Sequence, residues 1–324
     1  MKTRRLGASG PEITRVGLGT WAMGGDGWAF AWGPQDDQAS IAAVHKAMEV
    51  GITWIDTAAV YGFGHSEEMV GKAVKGRRDK VLLATKCGRV RVAGSPTPVP
   101  RIKADSIREE LEASLRRLGT DHIDLYQMHW PDPDADIEEG WGEIAKHVKA
   151  GKIRWAGVSN FSVAQLKRIQ PIHPVTSLQP PYSMLRRDIE AEILPYCRAQ
   201  GIGVIVYSPM QAGLLAGKFT RERAAQLPDT DWRKRNAHFK EPALSANLAL
   251  VEKLKAIAAR SGHTAPELAI AWVLRRPEVT AAIVGGRGAQ QVAETHGGAD
   301  WDLSPAELAE VDKAIAEREA ARTS

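Results

Sequence analysis

Four residues with complementary proton chemistry stand at the ends of short apolar runs. Asp56 follows residues 52–55, Tyr61 comes five positions later, Lys86 lies just beyond 81–84, and His129 just beyond 123–126. Lys86 is 30 residues after Asp56 and His129 is 43 after Lys86, about one strand–helix unit each. A free tyrosine, with a pKa of about 10, is a sluggish acid at neutral pH. A neighbouring ammonium favours the phenolate and lowers that value, and a carboxylate beside the ammonium keeps it charged despite burial. An imidazole can hydrogen-bond a substrate oxygen and polarise a carbonyl. Taken singly, each reads more readily as an ordinary strand-end polar group. Gathered in one place they would make a tuned proton donor.

Gathering them requires strands whose ends lie side by side. Apolar, β-branched runs recur at 52–55, 81–84, 123–126, 155–158, 203–206 and 281–284, with weaker ones at 15–18 and 176–179. They barely alternate, as befits parallel strands covered by helices. Amphipathic segments are expected as helices at 37–50, 104–118, 137–148, 163–169, 188–200, 245–260, 266–276 and 305–317. Gly51 and Gly119 are placed as C-caps. Eight strands alternating with helices and no Pro/Gly/Ser-rich linker predict one (β/α)8 TIM barrel over residues 1–324, with extra helices near the C-terminus. A doubly wound open sheet is the structural alternative. Residues 4–16 could form a β-hairpin under the barrel floor. Long connections at 24–36, 88–103 and 210–242 follow strand ends on the catalytic face of such a fold.

Composition narrows the function. Hydrophobic residues are 44% and charged residues 25% of the 324, an ordinary globular make-up. The net charge of +4 comes from scattered Lys and Arg, which argues against nucleic acid. No 18-residue apolar stretch suggests a membrane span, and no apolar run follows the basic N-terminus as a leader would require. Two cysteines, Cys87 and Cys197, make no disulfide framework and fit a reducing, cytoplasmic setting. No Cys/His cluster suggests a metal. Cys87 points away from Lys86 on a strand and reads as packing. His45, His147 and His263 read as helix surface.

Gly17, Leu18, Gly19, Thr20 and Trp21, then Ile55 to Ala58, Tyr61 with Gly62, and Ser66 to Glu68 resemble the aldo-keto reductase superfamily. So do Lys86, the passage SLRRLGTDHIDL at 114–125, His129 with Trp130 and Pro131, and Gly157 to Phe161. The resemblance spans about residues 3–315 and is nearest to the bacterial branch of inositol-utilisation and general-stress reductases. It implies an NADPH-dependent barrel, with NADH a weaker alternative, in which Tyr61 is the general acid supported by Lys86, Asp56 and His129. It also implies cofactor contacts at Gly19, Thr20, Trp21 and Asp56. Ser159, Asn160 and Gln179 match residues that hold the nicotinamide carboxamide, and Tyr207 matches the aromatic stacked on the ring. Ser208, Pro209, Leu214, Gly217 and Lys218 match the pyrophosphate segment. Gly285, Arg287, Gln291 and Glu294 match the adenosine end, where a guanidinium suits a 2′-phosphate. Gly286 replaces a common alanine and Thr295 a frequent asparagine.

A dinucleotide pattern at Gly17, Gly19 and Ala22 lacks the helix that a Rossmann reading requires. Residues 213–218 are one short of a phosphate loop and lack its Ser/Thr. Of ten tryptophans, Trp21, Trp28, Trp32 and Trp130 cluster near the expected mouth as a stacking surface for substrate, or as rim cover. The expected substrate is a small-molecule carbonyl. A polyol dehydrogenase running the same chemistry backwards and a cofactor-binding regulatory subunit are the alternatives.

Overall fold

Aliphatic runs become eight parallel strands that close on themselves. The computed structural model describes residues 1–229 and 231–323; Thr230, within the connection 210–242, and Ser324 lie outside the described residues. Two short strands, β1 (Thr3–Arg5) and β2 (Glu12–Thr14), form an antiparallel hairpin. The barrel strands are β3 (Val16–Gly19), β4 (Trp54–Asp56), β5 (Leu82–Cys87), β8 (Ile123–Met128), β9 (Ile153–Ser159), β10 (Ser177–Gln179), β11 (Gly203–Val206) and β12 (Val279–Gly285). They neighbour one another in that order and β12 returns to β3, making a closed (β/α)8 barrel. A second hairpin, β6 (Arg89–Val90) with β7 (Val99–Pro100), stands within the connection after β5. Every expected strand is present within three residues of its bounds.

The hairpin seals the floor: Leu6 and Ile13 pack with Trp54, Ala84, Leu125, Ile205 and Ala281 inside the barrel. Gly17 is required there, because a Cβ would sit 2.1 Å from the Trp54 ring. Around the barrel lie α1 (Asp37–Glu49), α2 (His65–Val74), α3 (Ala104–Leu118), α4 (Ile137–Lys149), α5 (Val163–Ile169) and α6 (Ile193–Gln200). They continue with α7 (Arg221–Ala225), α8 (Ala243–Arg260), α9 (Ala265–Leu274), α10 (Ala289–Thr295) and α11 (Pro305–Thr323). In α3, Ile107, Leu111, Leu115 and Leu118 turn inward at three- and four-residue steps. Gly119 ends the helix at φ 64°, donating to Arg116 O and Leu115 O. Truncating fully buried Leu111 to alanine would cost about 2–5 kcal/mol.

Some helices depart from expectation. α2 buries Ser66 and Glu67 in its first turn ahead of Met69, Val70, Ala73 and Val74, so its apolar stripe is short and begins with polar residues. α10 spans only seven residues. The segment 188–200 splits into a 3-10 turn and α6, with Pro195 in the helix's first turn, where its missing N–H costs nothing. His147 is buried on α4 rather than on the surface. Cys87 packs outward into the barrel–helix layer. Among the described residues no helix is long and apolar enough to cross a membrane.

Candidate active site

Asp56 ends β4 and Lys86 lies near the end of β5, in register with Gln127 of β8. His129 follows β8, and Tyr61 sits in a 3-10 turn beyond β4. That turn is pressed onto the first long connection: Gly62 has φ 59°, and a Cβ there would stand 2.1 Å from Gly24 O. Lys86 Nζ donates to Asp56 Oδ2 at 2.6 Å, Thr57 O at 2.8 Å and Tyr61 Oη at 3.3 Å. Three donors thus meet three acceptors, on a side chain with no solvent exposure. The His129 ring stands edge-on to Tyr61, 6.0 Å between centroids.

The electrostatics follow from burial. Desolvation lowers the Lys86 ammonium's pKa, against the raising pull of Asp56. Desolvation, then the charges of Lys86 and Arg89, hold His129 well below the usual histidine value. The imidazole is therefore neutral at working pH. Tyr61 corrects the sequence reading: burial, and secondarily Asp56, raise its phenol well above the ordinary value despite the nearby ammonium. A phenol held neutral in this way yields its proton only to a stronger base, such as a forming alkoxide.

A cavity of about 710 Å³ opens over these groups. Ser159, Asn160, Gln179 and Tyr207 wall it beside the tetrad, with Gly19, Thr20 and Trp21. Tyr207 donates to Asn160 Oδ1 at 2.9 Å, and Asn160 Nδ2 donates to His129 O and Ser159 Oγ. Ser208, Pro209 and Lys218 continue the wall to Gly285, Arg287, Gln291 and Glu294 at its far end. Lys218 pairs there with Glu294 at 2.8 Å.

Leu214 and Gly217 stand apart from the cavity lining. Leu214 is fully buried in the hydrophobic core, because its 3-10 turn packs on α8 and α9. Gly217 faces Lys255. Arg287 turns toward the first connection: it donates to Gln35 Oε1 at 2.7 Å and to the carbonyls of Trp32 and Pro34.

A profile described as "Aldo/keto reductase family" matches residues 15–316. The chain belongs to the aldo/keto reductase family. It is 39% identical over 308 residues to aldo-keto reductase YhdN of Bacillus subtilis (strain 168), covering 94% of this chain and 90% of that protein. It is 34% identical to probable aldo-keto reductase 1 of Glycine max, over 96% of this chain and 88% of that one. The solved glycerol dehydrogenase AKR11B4 from Gluconobacter oxydans superposes with a TM-score of 0.88 at 37% identity, covering 98% and 95% of the two chains. Aldo-keto reductase AKR11C1 from Bacillus halodurans (holo form) gives 0.81 at 27%, covering 97% and 96%. This aldo/keto reductase is therefore an oxidoreductase, from a family that reduces carbonyls with nicotinamide cofactors.

Trp21, Trp28, Trp32 and Trp130, expected to stack on substrate, all contribute to the cavity wall. The sequence reading missed several partners. Trp232 stacks on Trp21 at 5.8 Å, and Arg233 lies over the Trp32 ring at 4.7 Å. Arg89 lies over Trp130 and pairs with Asp132 at 3.0 Å. A tryptophan followed by arginine in a long, unpatterned connection was the available signal for Trp232 and Arg233.

Proposed function

We propose that this aldo/keto reductase reduces aldehydes, ketones and open-chain sugar carbonyls to alcohols with NADPH, using Tyr61 as general acid. The observation that carries the reading is the Lys86 ammonium joining Asp56 to the Tyr61 hydroxyl beside a neutral His129. The cavity wall fits a nicotinamide dinucleotide: an amide and an aromatic ring stand next to the tetrad, and a guanidinium lies at the far end. The chemistry such a cofactor would supply there is hydride for the carbonyl carbon. As the C=O electrons move to oxygen, Tyr61 Oη releases its proton to that oxygen, and the Lys86 ammonium steadies the phenolate left behind. His129, as a neutral donor, hydrogen-bonds the same oxygen and favours the charge that develops on it. Arg287 would exchange the loop carbonyls it now contacts for a 2′-phosphate. Cys87 and Cys197, both buried free thiols, support a cytoplasmic setting.

The similarity to a glycerol dehydrogenase favours a second reading, polyol oxidation with NADP+. The same groups would then act in reverse, the Tyr61 phenolate taking the alcohol proton. The intact tetrad argues against a purely regulatory role. A screen of aldehydes, ketones and polyols with NADPH, NADH and their oxidised forms, followed by nicotinamide absorbance, tests both. Faster reduction of aldehydes with NADPH supports the first reading, and absence of turnover in either direction sinks both.

A further inference from the structure

The barrel interior holds one amide that the chemistry above leaves unused. Gln127 lies on β8, fully buried, in register with Lys86 on one side and Gly157 on the other. Its Nε2 donates to Asp56 Oδ1 at 3.3 Å, and its Oε1 accepts from Gln179 Nε2 at 3.2 Å. Gln179 Nε2 also donates to Asp56 Oδ1 at 2.9 Å. Gly157 lies between it and β10, where a Cβ would stand 2.5 Å from Ser177 Oγ and 3.3 Å from Gln127 Cγ.

An amide nitrogen carries two N–H groups, and on Gln179 both are directed inward, one to Asp56 and one to Gln127. Its Oε1 must then face the other way, toward the cavity that Gln179 lines, and no described residue hydrogen-bonds it. If Gln179 were turned over, its oxygen would meet the Asp56 carboxylate and Gln127 Oε1, three acceptors with no proton between them. Asp56 alone cannot fix the plane, because the terminal torsion of a glutamine is soft. The second bond, to Gln127, supplies that constraint.

We propose that Gln127 is a positioning residue, locking Gln179 with its carbonyl oxygen toward the cavity so that the site selects a nicotinamide bearing a carboxamide N–H. This rests on the nicotinamide reading above. Gln127 touches neither cofactor nor substrate; it acts through Gln179.

The test compares NADP+ with its 3-acetylpyridine analogue, in which a methyl ketone replaces the amide and no N–H remains. Fluorescence titration gives both dissociation constants for the wild type, Gln127→Met and Gln127→Asn, with melting temperatures alongside. The wild type should bind NADP+ about ten-fold tighter than the analogue, the effect of one hydrogen bond to a buried acceptor. In Gln127→Met, which keeps length but neither donates nor accepts, that ratio should fall to about two or less. Gln127→Asn, too short to span the gap, should lose the preference as well, and it decides the question if the methionine variant does not fold. An equal weakening of both ligands, with the ratio preserved, would mean a merely structural role and overturn the proposal. So would a wild type that shows no preference. Wild-type turnover of an aldehyde with NADPH separates the two levels: activity with an unmoved ratio sinks this inference alone, and no dinucleotide binding at all sinks the reading beneath it too.

Discussion

The two halves of the barrel mouth hold their polar groups on different terms. Around β4, β5 and β8 they are buried at strand ends and in the turn just after, and Lys86 has a partner for every N–H. Opposite, they stand on the long connection beyond β11 and on the short turn and helix α10 beyond β12, and Arg287 in that turn is engaged by the loop backbone at Trp32 and Pro34. The first half is preorganised, as proton transfer in a dry site requires. The second half has contacts that can be exchanged, as a site that takes up and releases a large cofactor requires.

Substitutions on the two halves should therefore differ in kind as well as in size. Lys86→Met should produce the largest loss, lowering kcat by about 10²–10⁴-fold and, by leaving Asp56 buried without its partner, stability by about 3–5 kcal/mol. Denaturant melts and steady-state rates check this. Adding Asp56→Asn should restore part of the stability and none of the rate; restored rate would break the distinction. On the exchangeable half, Arg287→Ala should weaken NADPH binding about 10–100-fold, the loss of charge-assisted bonds to phosphate. NADH should lose less than about three-fold, and equal losses in titration would remove the 2′-phosphate role.

Smaller effects sharpen the contrast. Trp130, 40% exposed at the rim, should raise KM for aromatic aldehydes about three- to ten-fold when cut to alanine. The cofactor constant should stay unchanged, and a parallel shift in it would show the halves to be coupled. Behind β5, burial pushes the Glu110 carboxyl up to about 7 against hydrogen bonds from Gly88. A folded pKa above the unfolded one gives stability present below about pH 4.5 and lost as pH rises through 7. Glu110→Gln should thus raise Tm by roughly 1–3 °C at pH 8 and leave it unchanged at pH 4.5. The shift is small because the side chain keeps some solvent contact.

The tetrad was legible because a barrel turns strand ends into neighbours, so four polar residues after three apolar runs already implied convergence. Helix α3 was legible through an apolar stripe closed by Gly119, and α5 through its amphipathic run alone, although the structure adds a capping box at Ser162 and Gln165. Helix α2 was not, since its buried face holds Glu67, which accepts from Thr85 at 2.6 Å and pairs with Arg117. Polar residues buried for each other leave no periodic trace. Gln127 was overlooked for a similar reason, although a lone amide two positions before His129 on an apolar strand points the same way as the histidine. Tyr61's acidity was misread because sequence shows the neighbouring ammonium and hides the depth of burial. Leu214 matched a family segment by type, but its turn directs it into the core.

The most direct test of the central claim is single-turnover hydride transfer to an aldehyde in the wild type and Tyr61→Phe, followed by nicotinamide absorbance. The phenylalanine keeps the ring against Trp21 and Trp28 and removes only the proton donor. The rate should fall by about 10²–10⁴-fold with NADPH affinity unchanged, and a variant within about ten-fold of the wild type would contradict the assignment of Tyr61 as the acid.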